Sequence, residues 1–163
     1  MGKPSVGVPT LHAVAFGAGP SPMTLAMTPA GRGELFAQLL AVTTEGEIAE
    51  LTTAVHLPQE KLLQEFASIS NLRFASSGAT AAFDFFQTKG SEFGRTVLLL
   101  EQGEDIPQDP NGVWCFSPAQ HALSTSVGRI AARVFGVGQT LPVGDLLPNY
   151  VRPSDPELKL LCR

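Results

Sequence analysis

The strongest fold signal in this chain lies in residues 23–42, which read Met-Thr-Leu-Ala-Met-Thr-Pro-Ala-Gly-Arg-Gly-Glu-Leu-Phe-Ala-Gln-Leu-Leu-Ala-Val. Met23–Met27 is apolar except for one threonine, a pattern typical of a strand that is covered on both faces. Leu35–Val42 is a second apolar run, interrupted only by Gln38. Between them, Gly31-Arg32-Gly33-Glu34 supplies two glycines that adopt positive φ without a steric penalty. The stretch therefore predicts a buried β-hairpin.

The two charged residues of this turn, Arg32 and Glu34, allow two interpretations. Polar residues beside glycine are ordinary in turns, so a simple solvated turn is the plainer one. The alternative is that the turn holds both side chains at the edge of a sheet for a partner or a ligand.

The segment before the hairpin predicts a short strand over Val6–Thr10 and a short helix over Leu11–Phe16, closed by Gly17 and Gly19. Together they are typical of the exit of a β-α unit whose earlier strands are missing. His12 lies among apolar residues without a second ligand nearby, which favours a structural histidine over a metal ligand.

The elements after the hairpin are predicted from periodicity and boundary residues. In chain order they are a third antiparallel strand over Ile48–Leu57, a helix opened by Pro58, a strand over Asn71–Ala75, a helix over Ala81–Gln87, a polar linker over Lys89–Arg95, a buried strand over Thr96–Leu100, and a helix from Ser117. Leu62, Leu63, Phe66 and Ile69 form an apolar stripe on the first of these helices, which indicates core packing.

The last of these helices is predicted to have Ser117 as its cap and Pro118 in its first turn. Its apolar face carries Leu123, Val127, Ile130, Ala131 and Val134, and Gly136 and Gly138 end it. His121 and Ser124 lie in this region without a nucleophile elbow or a placed acid, which favours a structural helix over nucleophilic catalysis.

The loop Ser76–Thr80 connects a predicted strand to a predicted helix, a position where backbone amides can hold a phosphate. Ser77 and Gly78 are the candidate nucleotide-binding residues. The sequence has neither a lysine-bearing P-loop nor a Gly-x-Gly-x-x-Gly motif, so tight packing is the simpler interpretation of this loop.

The composition excludes several classes of function. The chain has 163 residues, a formal net charge of −4 and 16% charged residues, so a basic nucleic-acid-binding face is not expected. Cys115 and Cys162 are too few for a zinc site or a disulfide framework, and the acidic loop Glu101–Gly112 lacks the spacing of a calcium loop. We expect no metal and no cofactor. Without a long apolar run or a leader sequence, we expect no membrane segment and a cytoplasmic location.

The order of three segments carries a resemblance to a known family. They are the opening Gly-Val-Pro-Thr-Leu-His-Ala-Val-Ala (7–15), the turn Ala-Gly-Arg-Gly-Glu-Leu-Phe (30–36), and the closing Leu-Pro-Asn-Tyr-Val-Arg-Pro-Ser-Asp-Pro-Glu-Leu-Lys (147–159). With the helix from Ser117, they make the chain similar to the second half of the bacterial TsaB (YeaZ) family. This family acts in tRNA threonylcarbamoyladenosine biosynthesis and is a glycoprotease-like branch of the actin-like ATPase superfamily.

The chain departs from that family in two places. Family members usually carry an Asp-Ala-Arg-Arg-Gly-Glu turn, whereas Thr28-Pro29-Ala30-Gly31 precede Arg32 here, so the acidic position is lost. The first half of the family, with its Asp-Thr strand and its partner-binding helices, is also absent. We expect either a fragment of a longer protein or a half-length relative.

The resemblance implies an α/β fold, a mixed sheet flanked by helices that resembles one actin-like (ribonuclease-H-like) half. We expect one domain over 1–151 and a flexible or partner-docking tail over 152–163. The implied function is a non-catalytic subunit for tRNA modification, with a TsaD-like transferase and an ATPase subunit as partners. We expect a partner to bind at Arg32, Glu34, Tyr150 and Arg152. Two alternatives stay open, a homo-oligomeric structural domain and a small nucleotide-binding or hydrolase protein that uses the Ser76–Thr80 loop.

Overall fold

The hairpin predicted at residues 23–42 forms the centre of the fold in a computed structural model of the chain. The structure describes residues 3–76, 79–101, 104, 107, 112–118, 122–148 and 151. Strand β2 spans Ser21–Gly31 and strand β3 spans Glu34–Val42, paired antiparallel from Ser21↔Val42 to Gly31↔Glu34. Because both strands are apolar almost throughout, the hairpin is buried along most of its length, as the sequence predicts.

Seven strands form one mixed sheet around this hairpin. Beyond β3 lie β4 (Ile48–Glu50) and β5 (Val55–Pro58), both antiparallel to it. On the other side, β2 pairs in parallel with β6 (Leu72–Ser76), β6 with β8 (Val113–Pro118), and β8 with the edge strand β7 (Thr96–Leu99). A separate two-stranded ribbon joins β1 (Pro4–Ser5) to β9 (Leu141–Pro142). The mixed α/β fold expected from the sequence is confirmed.

Within the described residues, four α-helices complete the fold: α1 (Thr10–Ala18), α2 (Gln59–Phe66), α3 (Ala79–Glu92) and α4 (Leu123–Gly136). One face of the sheet builds an aromatic core with α2 and α3, in which Phe74, Phe86, Trp114 and Phe116 are fully buried. The other face packs on α1, and α4 packs on α1 from outside. Because side chains alternate along a strand, β2 sends Leu25 and Met27 into the first core and Ala26 into the second.

Two predictions near the helix starts are wrong. Ser117 and Pro118 end strand β8 instead of starting a helix, and α4 begins at Leu123. The run Val113–Phe116 lies between β6 and β7, so ladder pairing and burial outweigh the local capping signal of a Ser-Pro pair. Residues 6–9 are irregular rather than a strand, because Pro9 directly precedes the first turn of α1.

Three other predicted elements are corrected in extent. The strand over Ile48–Leu57 is split by residues 51–54, where the backbone amides of Leu51 and Thr52 donate to Leu39 O. The predicted linker Lys89–Arg95 belongs in large part to α3, which continues to Glu92. The strand β7 is an edge strand, so two of its residues, Leu98 and Leu99, are exposed rather than buried.

The predicted core face of α4 is only partly covered. Of the described residues of α4, Ser126 is the one that is buried. Val127 is exposed, and Leu123 is partly buried against α1. In the described part of the chain, no helix is long and apolar enough to cross a membrane. The proposed boundary between residues 151 and 152 stays a prediction, because 152–163 lie outside the described residues.

Candidate partner-binding site

The tip of the central hairpin is a left-handed turn. Gly31, Arg32 and Gly33 have φ angles of 87°, 53° and 77°. Glycine adopts these angles freely, whereas an arginine does so at a cost of about 1–2 kcal/mol. Among the described residues, Arg32 is the single non-glycine residue with a positive φ angle, and its side chain is exposed. The turn therefore projects a cation from a strained position into solvent, and such strain is often found at functional sites.

Glu34 is held against the neighbouring strand. Its Oε2 lies 2.9 Å from Nε2 of His56 on β5, a close contact in which the imidazole is not aligned as a hydrogen-bond partner. The His56 ring also packs on Phe36, with ring centroids 5.0 Å apart. The strand register explains the cluster, since Phe36 lies opposite His56 and Glu34 lies opposite Pro58. Of the two charged residues, Glu34 is therefore restrained and Arg32 is free to reach outward.

The other predicted partner-binding residues, Tyr150 and Arg152, lie outside the described residues. Their neighbours Pro148 and Val151 are described, and both line a cavity with Thr28 and Phe36 of the hairpin. The chain before and after Tyr150 thus runs beside the same hairpin that carries Arg32.

The candidate nucleotide-binding residues Ser77 and Gly78 also lie outside the described residues, so that alternative stays a prediction. The strand β6 ends at Ser76, and α3 begins at Ala79. Because β2 and β6 are parallel, with Met27 opposite Ser76, β6 ends toward the same end of the sheet as the hairpin tip.

The remaining titratable candidates have structural surroundings. His12 on α1 contacts Glu50 on β4, with Nε2 and Oε1 3.0 Å apart, in agreement with a structural histidine. Ser124 is exposed at the start of α4, and His121 lies outside the described residues. Among the residues that the structure describes, no three His, Cys, Asp or Glu side chains are grouped so that they could hold a metal ion.

Sequence reasoning missed two polar residues of the core. Arg73 is 2% exposed on β6, and Gln38 is 5% exposed on β3. Each interrupts an otherwise apolar strand, in Leu-Arg-Phe and in Ala-Gln-Leu. A polar residue inside a buried strand requires a buried partner, and that requirement is the signal that could have singled out both.

Comparison with solved structures relates this architecture to known proteins. YeaZ from Pseudomonas aeruginosa aligns with a TM-score of 0.52 and 16% identity, over 91% of this chain and 59% of that one. The crystal structure of an uncharacterized protein with similarity to peptidase YeaZ from Pseudomonas aeruginosa aligns with a TM-score of 0.54 and 18% identity, over 92% of this chain and 60% of that one. The fold of this chain is YeaZ-like.

At these identities the likeness concerns the fold, and it confirms the fold that the resemblance implied. This YeaZ-like chain spans about three fifths of the length of those two proteins. The sequence matches no protein-family model and no curated protein.

Proposed function

We propose that this chain is a non-catalytic scaffold subunit for threonylcarbamoyladenosine modification of tRNA. The observation that supports the proposal most is the YeaZ-like fold, which extends over more than nine tenths of the chain. Its partners in this proposal are a TsaD-like transferase subunit and an ATPase subunit. Because the chain spans about three fifths of the YeaZ-like structures, it offers these partners only part of the surface that the longer proteins have.

The hairpin tip is the contact that we propose for a partner. Arg32 projects from a short turn that the paired strands close at Gly31 and Glu34, so little backbone has to be ordered when a partner binds. The restrained carboxylate of Glu34 lies two residues further along. A partner surface with a carboxylate for Arg32 and a cation for Glu34 would match this arrangement.

Reversing both charges, Arg32→Glu with Glu34→Lys, tests the contact. We expect at least tenfold weaker binding to the TsaD-like and ATPase subunits in co-purification and titration, with a nearly unchanged melting temperature. The matched control reverses Lys89 and Glu92 on α3, an exposed pair with Lys89 Nζ 3.0 Å from Glu92 Oε1. Full retention of binding by the tip variant would remove Arg32 and Glu34 from the site.

The cellular role is tested by complementation. A strain depleted of its own TsaB-like protein would express this chain, and threonylcarbamoyladenosine would be quantified in its tRNA by mass spectrometry. Restored modification supports the scaffold role. Binding to the partners without restored modification would indicate that the parts of the longer YeaZ-like proteins that this chain lacks are needed for activity.

A homo-oligomeric structural domain is the second candidate, and exposed apolar side chains favour it. Among the described residues of the C-terminal part, those with exposed large apolar side chains are Val127, Phe135, Val137, Leu141, Val143, Leu146 and Leu147. Light scattering across a concentration series tests it: a dimer that Phe135→Ser and Leu147→Ser dissociate supports this candidate, and a monomer throughout contradicts it.

A further inference from the structure

A cavity lined by described residues lies where α1 leaves the sheet uncovered. It has a volume of about 480 Å³. Helix α1 covers Ala26, Leu40 and Val42, but it starts too late along the sheet to cover Thr28 and Phe36. Thr10 and Leu11 in the first turn of α1 line it, and so do Pro148 and Val151. The size is within the range of sites for small molecules.

The walls of the cavity are mainly apolar, and one of them carries an aromatic ring. Leu11, Phe36 and Val151 supply aliphatic and aromatic surface. The Phe36 ring packs against the His56 ring, with the ring centroids 5.0 Å apart. When a side chain of the wall is already packed in place, less conformational entropy is lost when an apolar group binds against it.

Gln38 supplies a pre-oriented hydrogen-bond acceptor in the cavity wall. Its Nε2 donates to Thr52 O at 3.0 Å, and Thr52 is itself bonded to the backbone of Leu39. Because a carbonyl oxygen can only accept, the carboxamide orientation is fixed, and Oε1 is the end left for a ligand. No described residue donates to Oε1, although Gln38 is 5% exposed. An acceptor that opens onto the cavity without a donor from a described residue can accept a hydrogen bond from a ligand N–H group.

The first turn of α1 supplies hydrogen-bond donors, whereas Gln38 supplies an acceptor. Thr10 and Leu11 both line the cavity, and Pro9, which precedes them, makes no side-chain hydrogen bond that would cap the helix. The backbone N–H groups of the first turn have no partner inside a helix, and the helix dipole adds positive potential there. This end of the cavity therefore favours a carboxylate.

We propose that this cavity binds a small carboxylic acid with an apolar body and one N–H donor, the chemistry of an N-acylated apolar amino acid. The carboxylate faces the first turn of α1, the N–H donates to Gln38 Oε1, and the apolar side chain packs on Phe36. The cavity lies beside the proposed partner contact, since it shares Phe36 with the cluster that restrains Glu34. Binding of a small acid by the isolated chain nevertheless tests the cavity alone and does not depend on the tRNA-modification role.

Three matched probes test the proposal by isothermal titration calorimetry on the full chain. N-acetyl-L-phenylalanine carries all three features, N-acetyl-L-phenylalaninamide lacks the carboxylate, and 3-phenylpropanoate lacks the N–H. We expect saturable binding of the first and binding about three- to tenfold weaker for each of the other two. In ¹⁵N spectra, the Thr10 and Leu11 amides should shift with the first probe.

Three variants locate the binding. Ala54→Met fills the cavity without touching Gln38 and should abolish binding, whereas Gln38→Leu removes the acceptor and should reduce it about three- to tenfold. Gln64→Leu, on the exposed side of α2 beyond the other face of the sheet, is the matched control and should bind normally. Melting temperatures establish that each variant is folded. Absence of saturable binding below about 10 mM, equal binding of the amide probe, or normal binding by folded Ala54→Met would overturn the proposal.

Discussion

Arg73 Nη1 donates to the carbonyl oxygen of Ala18 at 2.6 Å and so connects the central strand β6 to the end of α1. The same nitrogen donates to Pro20 O at 3.2 Å, and Nη2 donates to Glu104 O at 3.4 Å. Arg73 is almost completely buried, so these carbonyls take the place of water around a cation. One side chain thereby ties β6 to the connection between α1 and the hairpin.

Replacing this arginine should destabilise the protein strongly. Arg73→Met keeps the aliphatic volume but leaves the carbonyl oxygens of Ala18 and Pro20 without their donor. We expect the free energy of unfolding in urea to fall by about 2–4 kcal/mol. Arg129→Met, at an exposed position on α4, is the control and should change it by about 0.5 kcal/mol or less. Equal effects of the two substitutions would contradict a special role for Arg73.

Two helix glycines should respond to alanine in opposite directions. A Cβ at Gly90 in α3 would lie 2.4 Å from Val97 Cγ2 and 3.4 Å from Trp114 Cε3, whereas a Cβ at Gly128 in α4 would meet nothing within 4 Å. Overpacking should make Gly90→Ala destabilising by about 1–2 kcal/mol, despite the better helix propensity. Gly128→Ala should stabilise by up to about 1 kcal/mol. Urea unfolding of both variants tests the pair, and a stabilised Gly90→Ala would show that β7 can move away from α3.

The central hairpin was predictable because its signals are local. Apolar runs on both sides of Gly31 and Gly33 define the two strands, and the glycines define a turn that only positive φ can close. The strand β8 was missed because its position depends on distant partners, β6 and β7, which burial selects and local sequence does not. Lys89–Arg95 was misjudged for a related reason, since Gly90 is a packing contact with β7 rather than a helix end.

The candidate sites were predictable only in part. The glycine-flanked turn indicates that Arg32 is displayed, but the contact between Glu34 and His56 depends on the pairing of β3 with β5. Gln38 looks like an interruption in the sequence, and only the fold shows that it opens onto a cavity beside α1. Residue type predicts that a buried polar group requires a partner, whereas tertiary structure determines which partner it finds.

Cys115 should be an unreactive thiol at neutral pH. Burial raises the pKa of the Cys115 thiol, and Arg73 opposes this by a smaller amount. A Cys162→Ser background leaves Cys115 as the single thiol, and we expect its labelling by a disulfide reagent at pH 8 to be slow in the native protein and fast in urea. Equally fast labelling in both states would contradict its burial.

Because of the same pKa shift, the free energy of unfolding should depend on pH in the alkaline range. The folded protein keeps the thiol proton to higher pH than the unfolded chain, whose cysteine pKa is about 8.5. The protonated Cys115 thiol therefore contributes its full amount to the free energy of unfolding below that pH. This contribution is lost as the pH rises through the pKa of the folded protein. We expect the free energy of unfolding to fall more steeply above about pH 8.5 in Cys162→Ser than in the Cys115→Ala, Cys162→Ser double variant. Parallel pH profiles would show that the shift is negligible.

Two substitutions of Arg32 can separate the effect of turn geometry on partner binding from the effect of its charge. At a φ of 53°, asparagine is tolerated, whereas β-branched valine is strongly disfavoured. We expect Arg32→Asn to leave the free energy of unfolding within about 0.5 kcal/mol, and Arg32→Val to lower it by about 1–2 kcal/mol. Both remove the cation, so a partner that recognises charge should lose affinity for both variants about equally. If Arg32→Val loses affinity and Arg32→Asn does not, the partner recognises the left-handed turn conformation. The proposed role of the Arg32 charge would then be wrong.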